Sequence, residues 1–409
     1  MDGAAAHPIR LVVTDDLHRS RLTVAFRLLL AIPHYIWVAL FGVGAFCVAF
    51  ANWWATLFTG RSPKGLHNFL AGFVRYVTHV EAYLFLAANP FPAFYVGDTT
   101  KTYPVDVEID PPERQRRAVT FFRLLLVLPA ALISGALSGG FGGYSGYYRT
   151  GGGIAGTAAL LMWFAILARG RAPRGLRNLA LWGIGYTAQL AGFFFLLTER
   201  YPTSDQLGHV PAEEDEPSMP ARGVIADDLR RSRLTVFFRL LLWIPHLVWF
   251  LLWSVAAHLV AVLNWFGALM LGRPPQAFVR FLSAYVRYTV HQAAFVALVG
   301  NPFPGFVGKA GSYPIDVELA PPGRQRRVTI AFRLFLALPA LIVQSAGGGL
   351  LLVAAFLGWF ASLVRGRMPE GLRNGGAWAL AYSAQATAYL FVLSDRYPYS
   401  SPTAVSWRV

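Results

Sequence analysis

Arg21-Leu22-Thr23-Val24-Ala25-Phe26-Arg27-Leu28-Leu29-Leu30-Ala31-Ile32-Pro33 is the stretch that organises the whole chain. An arginine, five residues, a second arginine and a leucine-rich run to a proline recur from Arg117, Arg233 and Arg327. In every copy the second arginine (Arg27, Arg123, Arg239, Arg333) and the proline (Pro33, Pro129, Pro245, Pro339) keep the same register. Further along, each copy carries Gly-Arg-x-Pro, with its arginine at Arg61, Arg171, Arg273 or Arg367. The distance from the second arginine is 34 residues in three copies and 48 in the second. The extra 14 residues of the second copy fall in the glycine-rich tract at 139–153. A register kept four times marks a tandem repeat.

The composition places that repeat in a membrane. Of 409 residues, 55% are hydrophobic and only 14% charged, and apolar runs such as 34–58, 69–88 and 240–271 reach the roughly 20 residues needed to cross a bilayer core. The net charge of +15 would suit nucleic acid. The arginines, however, flank apolar runs, and no nucleic-acid-binding motif accompanies them, so phospholipid phosphate is the expected partner and nucleic acid is not. Other membrane proteins are further candidate partners. The lone Cys47 rules out an intrachain disulfide. The first residues lack a basic start followed by an apolar core, so no removable signal is evident and the N-terminus is expected to stay cytoplasmic.

Short stretches with period-two alternation precede the arginine pairs. Val105-Asp106-Val107-Glu108-Ile109 and Ile315-Asp316-Val317-Glu318-Leu319 are the clearest, with counterparts at 9–14 and 223–226. They read as strands with one wet face, and neighbouring copies are expected to pair theirs into a small sheet at the membrane surface. The copies span 8–97, 103–203, 222–308 and 313–399, with an acidic, proline-containing linker at 204–221 between the two pairs. The predicted fold is an all-α polytopic membrane protein of four tandem two-helix repeats, about eight transmembrane helices. An even number of spans per copy would return every arginine pair to one side, the cytoplasmic one by its charge, along with both termini. A rival topology breaks the first apolar run into a hairpin near Gly42-Gly44, Gly135-Gly156 and Gly347-Gly349.

Two groups stand out as candidate sites. Arg27, Arg123, Arg239 and Arg333 sit inside apolar runs, where burying an unpaired charge costs several kcal/mol. They are therefore expected to anchor the helices or to fork onto lipid headgroup phosphates, with the strand carboxylates as alternative partners. Arg75 and His79, four apart on one helix face, recur as Arg287 and His291. This group forms a possible intramembrane polar site, either a proton or anion path or a satisfied pair with Tyr83, Asn52 or Asn264. Asp15-Asp16 and Asp227-Asp228 read as caps for the helices that follow. His34 and His246 lie beside the prolines without ligand spacing, so no metal, cofactor or catalytic constellation is expected.

The motif Arg-x5-Arg-Leu-Leu-Leu-x-x-Pro, the later Gly-Arg-x-Pro-x-Gly-Leu and the closing Arg-Tyr-Pro at 200–202 and 396–398 resemble a bacterial membrane module, the domain of unknown function 4389. The resemblance covers nearly the whole chain and implies two-helix membrane units, without supplying catalytic residues. Copy three departs from it with Pro274-Pro275-Gln276-Ala277 after the turn. The expected function is a non-enzymatic inner-membrane protein that binds anionic phospholipid or organises an envelope assembly. A small-solute transporter or channel using the intramembrane Arg and His, and a lipid-modifying enzyme, are the alternatives.

Overall fold

The structure is a computed structural model that describes residues 7–94, 103–139, 153–206, 209–210, 219–403 and 405–407. It forms two compact units, 1–212 and 213–409. The first contains β1 (Ile9–Val13), α1 (Arg21–Ala25), α2 (Arg27–Leu30), α3 (Ile32–Thr59), α4 (Lys64–Leu84), β2 (Val105–Ile109), α5 (Arg117–Phe121), α6 (Arg123–Ser138), α7 (Gly153–Arg169) and α8 (Arg174–Phe194). The second contains β3 (Ala221–Ile225), α9 (Arg233–Phe237), α10 (Arg239–Leu271), α11 (Gln276–Val296), β4 (Ile315–Leu319), α12 (Arg327–Ala331), α13 (Arg333–Arg365), α14 (Glu370–Leu390) and β5 (Val405–Trp407).

Sequence explains where the helices start and stop. The long apolar helices run over Arg27–Thr59, Arg239–Leu271 and Arg333–Arg365, 33 residues each, and all three are long and apolar enough to cross a membrane. Each ends at the glycine of Gly-Arg-x-Pro, held at φ +72° in Gly60, +71° in Gly272 and +66° in Gly366. That left-handed conformation closes the helix and favours glycine. The second helix restarts directly after the proline. α6 and α7 are 16 and 17 residues, together the length of the other long helices. Gly139 and Gly153 abut, so that a Cβ on Gly153 would come within 2.6 Å of the Gly139 nitrogen. The insertion therefore leaves and re-enters one long helix; its residues 140–152, with Tyr144, Tyr147 and Tyr148, lie outside the described residues. No hairpin forms at Gly42-Gly44 or Gly347-Gly349, where the helices continue unbroken.

Within a unit the two copies are inverted. α3 runs away from Arg27, and α4 returns until its final carbonyls meet Arg27 again. The second copy starts at the far end: Arg61 pairs through its backbone with Arg114, and the Gln115 amide donates to the Gly60 carbonyl at 2.9 Å. Reciprocally, His18 pairs with Arg171 and the Arg19 amide donates to Gly170 at 3.1 Å. The second unit repeats this, with Arg231 on Gly366 at 2.9 Å and Gln325 on Gly272 at 3.0 Å. The arginine pairs of one unit therefore lie at opposite ends of its long helices. This corrects the expectation that all of them return to one side; the strand between the copies carries the chain back along the helices.

The strands pair across the copies as their alternation predicts. β1 and β2 are antiparallel from Ile9↔Ile109 to Val13↔Val105. β3 and β4 match them from Ala221↔Leu319 to Ile225↔Ile315, and β5 adds a parallel edge. Each unit is layered. α3 buries His34, Ala45, Asn52 and Thr56 and exposes Ile36, Leu40, Val43, Phe50, Trp54 and Phe58 along its opposite face. α4 turns Phe69 and Phe73 toward Phe41 of α3, and Arg75 and His79 toward β2. α8, packed beside α4 and under β1, is buried along nearly its whole length. Part of the predicted linker belongs to these layers. The Ser204 carbonyl accepts from the Trp182 indole at 3.2 Å, Gln206 and His209 are buried, and Ala221 already begins β3.

Candidate functional site

The second arginine of every pair is turned into the protein. Arg27, Arg123, Arg239 and Arg333 are at most 2% exposed. Arg27 Nη1 donates to the carbonyls of Tyr83 (2.8 Å) and Ala88 (2.9 Å). Arg123 reaches Phe193 (2.9 Å) and Thr198 (3.0 Å), Arg239 reaches Phe295 (2.6 Å) and Gly300 (3.0 Å), and Arg333 reaches Ser394 (2.8 Å). Each guanidinium also stacks on an aromatic ring of the same helix end, 4.0–4.4 Å from the centroids of Tyr83, Phe193, Phe295 and Tyr389. These are cation–π contacts added to a charge placed where the helix dipole favours it.

What the arginines grip is a strained turn. Leu86, Leu196, Leu298 and Val392 follow the second helices with φ between +60° and +63°. Such a conformation costs a non-glycine residue on the order of 1–3 kcal/mol and persists only when its surroundings impose it. A second donor, eight residues before each inner arginine, holds the same turns. Arg19 donates to Leu86 and Ala87 (3.0 and 2.7 Å), and Arg231 to Leu298 and Val299 (3.1 and 2.9 Å). In the other copies Gln115 donates to Leu196 (2.6 Å) and Gln325 to Val392 (3.0 Å), while each glutamine oxygen accepts from Arg123 or Arg333. Sequence reading missed this position because its residue type alternates; its constant distance from the inner arginine is the signal that would have found it. The acids expected to cap helices instead orient these donors, Asp15 holding Arg19 and Asp227 holding Arg231, each at 2.8 Å.

Arg75 and His79 come together, but on a strand and not on Tyr83 or Asn52. Arg75 Nε lies 2.7 Å from Asp106 Oδ1, with a second contact from Nη2 to Oδ2, and His79 Nε2 lies 2.7 Å from the same Oδ1. Burial works against the Asp106 charge, yet the hydrogen bonds from Arg75 and His79 outweigh it and hold the carboxyl well below the usual range. Tyr103 stacks on His79 at 4.5 Å. In the third copy His291 keeps its carboxylate, 2.8 Å from Asp316, whereas Arg287 donates to the Val317 carbonyl at 3.2 Å. Asn52 and Asn264 serve other carbonyls, those of Phe195 and Phe391. The group clamps a helix to a strand.

The first arginine of each pair points the other way. Arg21, Arg117, Arg233 and Arg327 are exposed, and each spends one Nη on a carbonyl at the finish of the partner copy's long helix: Ala168, Phe58, Val364 and Met270, at 2.9–3.1 Å. The turn arginines Arg61, Arg171, Arg273 and Arg367 are exposed at the same ends. Directly beside them begin the exposed apolar faces, with Leu22 71% and Leu234 69% exposed.

No curated protein and no solved structure matches this chain. A family model described as a domain of unknown function, DUF4389, matches residues 21–95, 233–307 and 327–401, and each matched stretch begins on an exposed first arginine. With more than half of its length matched in tandem, the chain belongs to the DUF4389 family.

Proposed function

We propose that this is a non-enzymatic protein of a bacterial cytoplasmic membrane, built of four modules, that binds anionic phospholipid and serves as a scaffold in the envelope. The modules are the three matched stretches and a second copy interrupted by its insertion. The observation that carries the reading is the exposed arginine cluster at each end of the apolar long-helix face. A bilayer presents the complementary pattern of hydrocarbon bordered by phosphate, and each arginine near an anionic surface contributes about 1 kcal/mol of attraction. The headgroup role expected of Arg27, Arg123, Arg239 and Arg333 passes in this reading to Arg21, Arg117, Arg233 and Arg327, because the inner four have their Nη donors on protein acceptors. The transport alternative is supported less well, since Arg75 and His79 are closed off by Asp106.

The test is native mass spectrometry of gently purified protein. Replacing Arg21, Arg117, Arg233 and Arg327 by Gln is expected to remove bound phosphatidylglycerol or cardiolipin and leave phosphatidylethanolamine in place. Equal retention of anionic lipid by the wild type and the variant would refute the proposal.

A further inference from the structure

We infer that each unit lies in one face of the bilayer, with its long helices parallel to the membrane plane and its sheet in water, so that the long helices do not cross. This rests on the lipid contact proposed above, but not on the preference for anionic headgroups.

Three observations carry it. A helix of 33 residues is about 50 Å long, well beyond a hydrocarbon core of about 30 Å. The apolar residues exposed on α3 form one stripe along its entire length, opposite the stripe buried against the rest of the unit, so the helix offers lipid a single face from end to end. Most decisive is the position of the sheet. β2 reaches α4 at Arg75 and His79, around the middle of Lys64–Leu84, and its one exposed residue, Glu108, is charged. Arg10 of β1 lies 3.3 Å from Glu108, with 38% and 61% of those side chains exposed. The second unit repeats the pattern with exposed Arg222 and Glu318 on β3 and β4. Helices set across the bilayer would hold this charged pair, and the edges of a sheet that has two strands among the described residues, at the depth of the hydrocarbon, where neither is tolerated. Laid flat, the same unit has an apolar layer toward the chains, arginines at the perimeter among phosphates and a charged sheet facing water.

Lys64 and Arg174 start α4 and α8 at opposite ends of the first unit, and both are exposed. Single cysteines at Lys64→Cys, Arg174→Cys and Glu108→Cys, in a Cys47→Ser background, are labelled with a membrane-impermeant maleimide in sealed vesicles of one orientation. All three are expected to react from the same side and to the same extent as in detergent. Labelling of Lys64→Cys and Arg174→Cys from opposite sides, or protection of Glu108→Cys until detergent is added, overturns the inference, even if lipid retention still follows the outer arginines. The wild-type chain supplies an independent reading, because Cys47 is exposed on α3. A fluorophore on it is expected to be quenched by brominated acyl chains. Absence of quenching would mean that protein, such as a second copy, covers the face, and this too overturns the inference.

Discussion

Two arginines six residues apart on the same short stretch have opposite fates. Arg27 is buried on carbonyls at the end of α4, whereas Arg21 is exposed at the end of the partner copy's long helix. The same division holds for Arg123 and Arg117, Arg239 and Arg233, and Arg333 and Arg327. Between them the short helix stops at Phe26, Phe122, Phe238 or Phe332 before the next one starts. A motif that looks uniform in sequence therefore separates into an inner row that closes each helix hairpin and an outer row that faces outward. Charge alone does not say what an arginine does in a membrane protein; the direction in which the local helix turns it does.

The inner row should give the largest effects. Arg123→Ala removes two carbonyl bonds, a glutamine bond and a stacked ring from a turn held at positive φ. It is expected to cost roughly 3–5 kcal/mol, read as a lowered unfolding midpoint in detergent. Arg123→Lys should recover little, because a point charge cannot fork across two carbonyls. Asp106→Asn comes next, at roughly 2–4 kcal/mol at neutral pH, since it leaves Arg75 and His79 without their shared partner. The pH dependence has a definite sign. The Asp106 carboxyl titrates lower in the folded than in the unfolded chain, so its stabilisation is complete above the ordinary carboxylate range. It is lost as pH falls below about 4 toward the folded value, and the stability of the Asn variant should be flatter in that range. Gln115→Leu removes one carbonyl bond and one arginine acceptor, and about 1–3 kcal/mol is expected. Smallest is Arg21→Gln, expected within about 0.5 kcal/mol of wild type because the side chain is exposed. A stability loss as large as that of Arg123→Ala would erase the distinction between the rows.

Much of the fold was legible because its punctuation is local. The left-handed glycines and the prolines of Gly-Arg-x-Pro mark the helix ends, and Val105-Asp106-Val107-Glu108-Ile109 announces a strand by alternation. The inversion of one copy against the next was not legible, because it depends on which end of a helix another segment meets. Long runs such as Ile32–Thr59 are apolar nearly all round, so periodicity names no packed face. The target of the inner arginines was hidden for another reason. They bind main-chain carbonyls around Leu86 and its counterparts, and a leucine carries no sign that its backbone will turn left-handed. Arg75 and His79 were visible as a pair, but their partner Asp106 belongs to a strand whose pairing brings it across the helix.

The most direct test measures the unfolding midpoint of the wild type and of the outer variant, with Arg21, Arg117, Arg233 and Arg327 all changed to Gln, in neutral lipid and then with phosphatidylglycerol added. A ligand bound only by the native state raises its stability. The two proteins are expected to unfold together in neutral lipid, and the anionic lipid should raise the midpoint of the wild type alone. If it raises both equally, the outer arginines do not recognise phospholipid and the division of labour between the two rows fails.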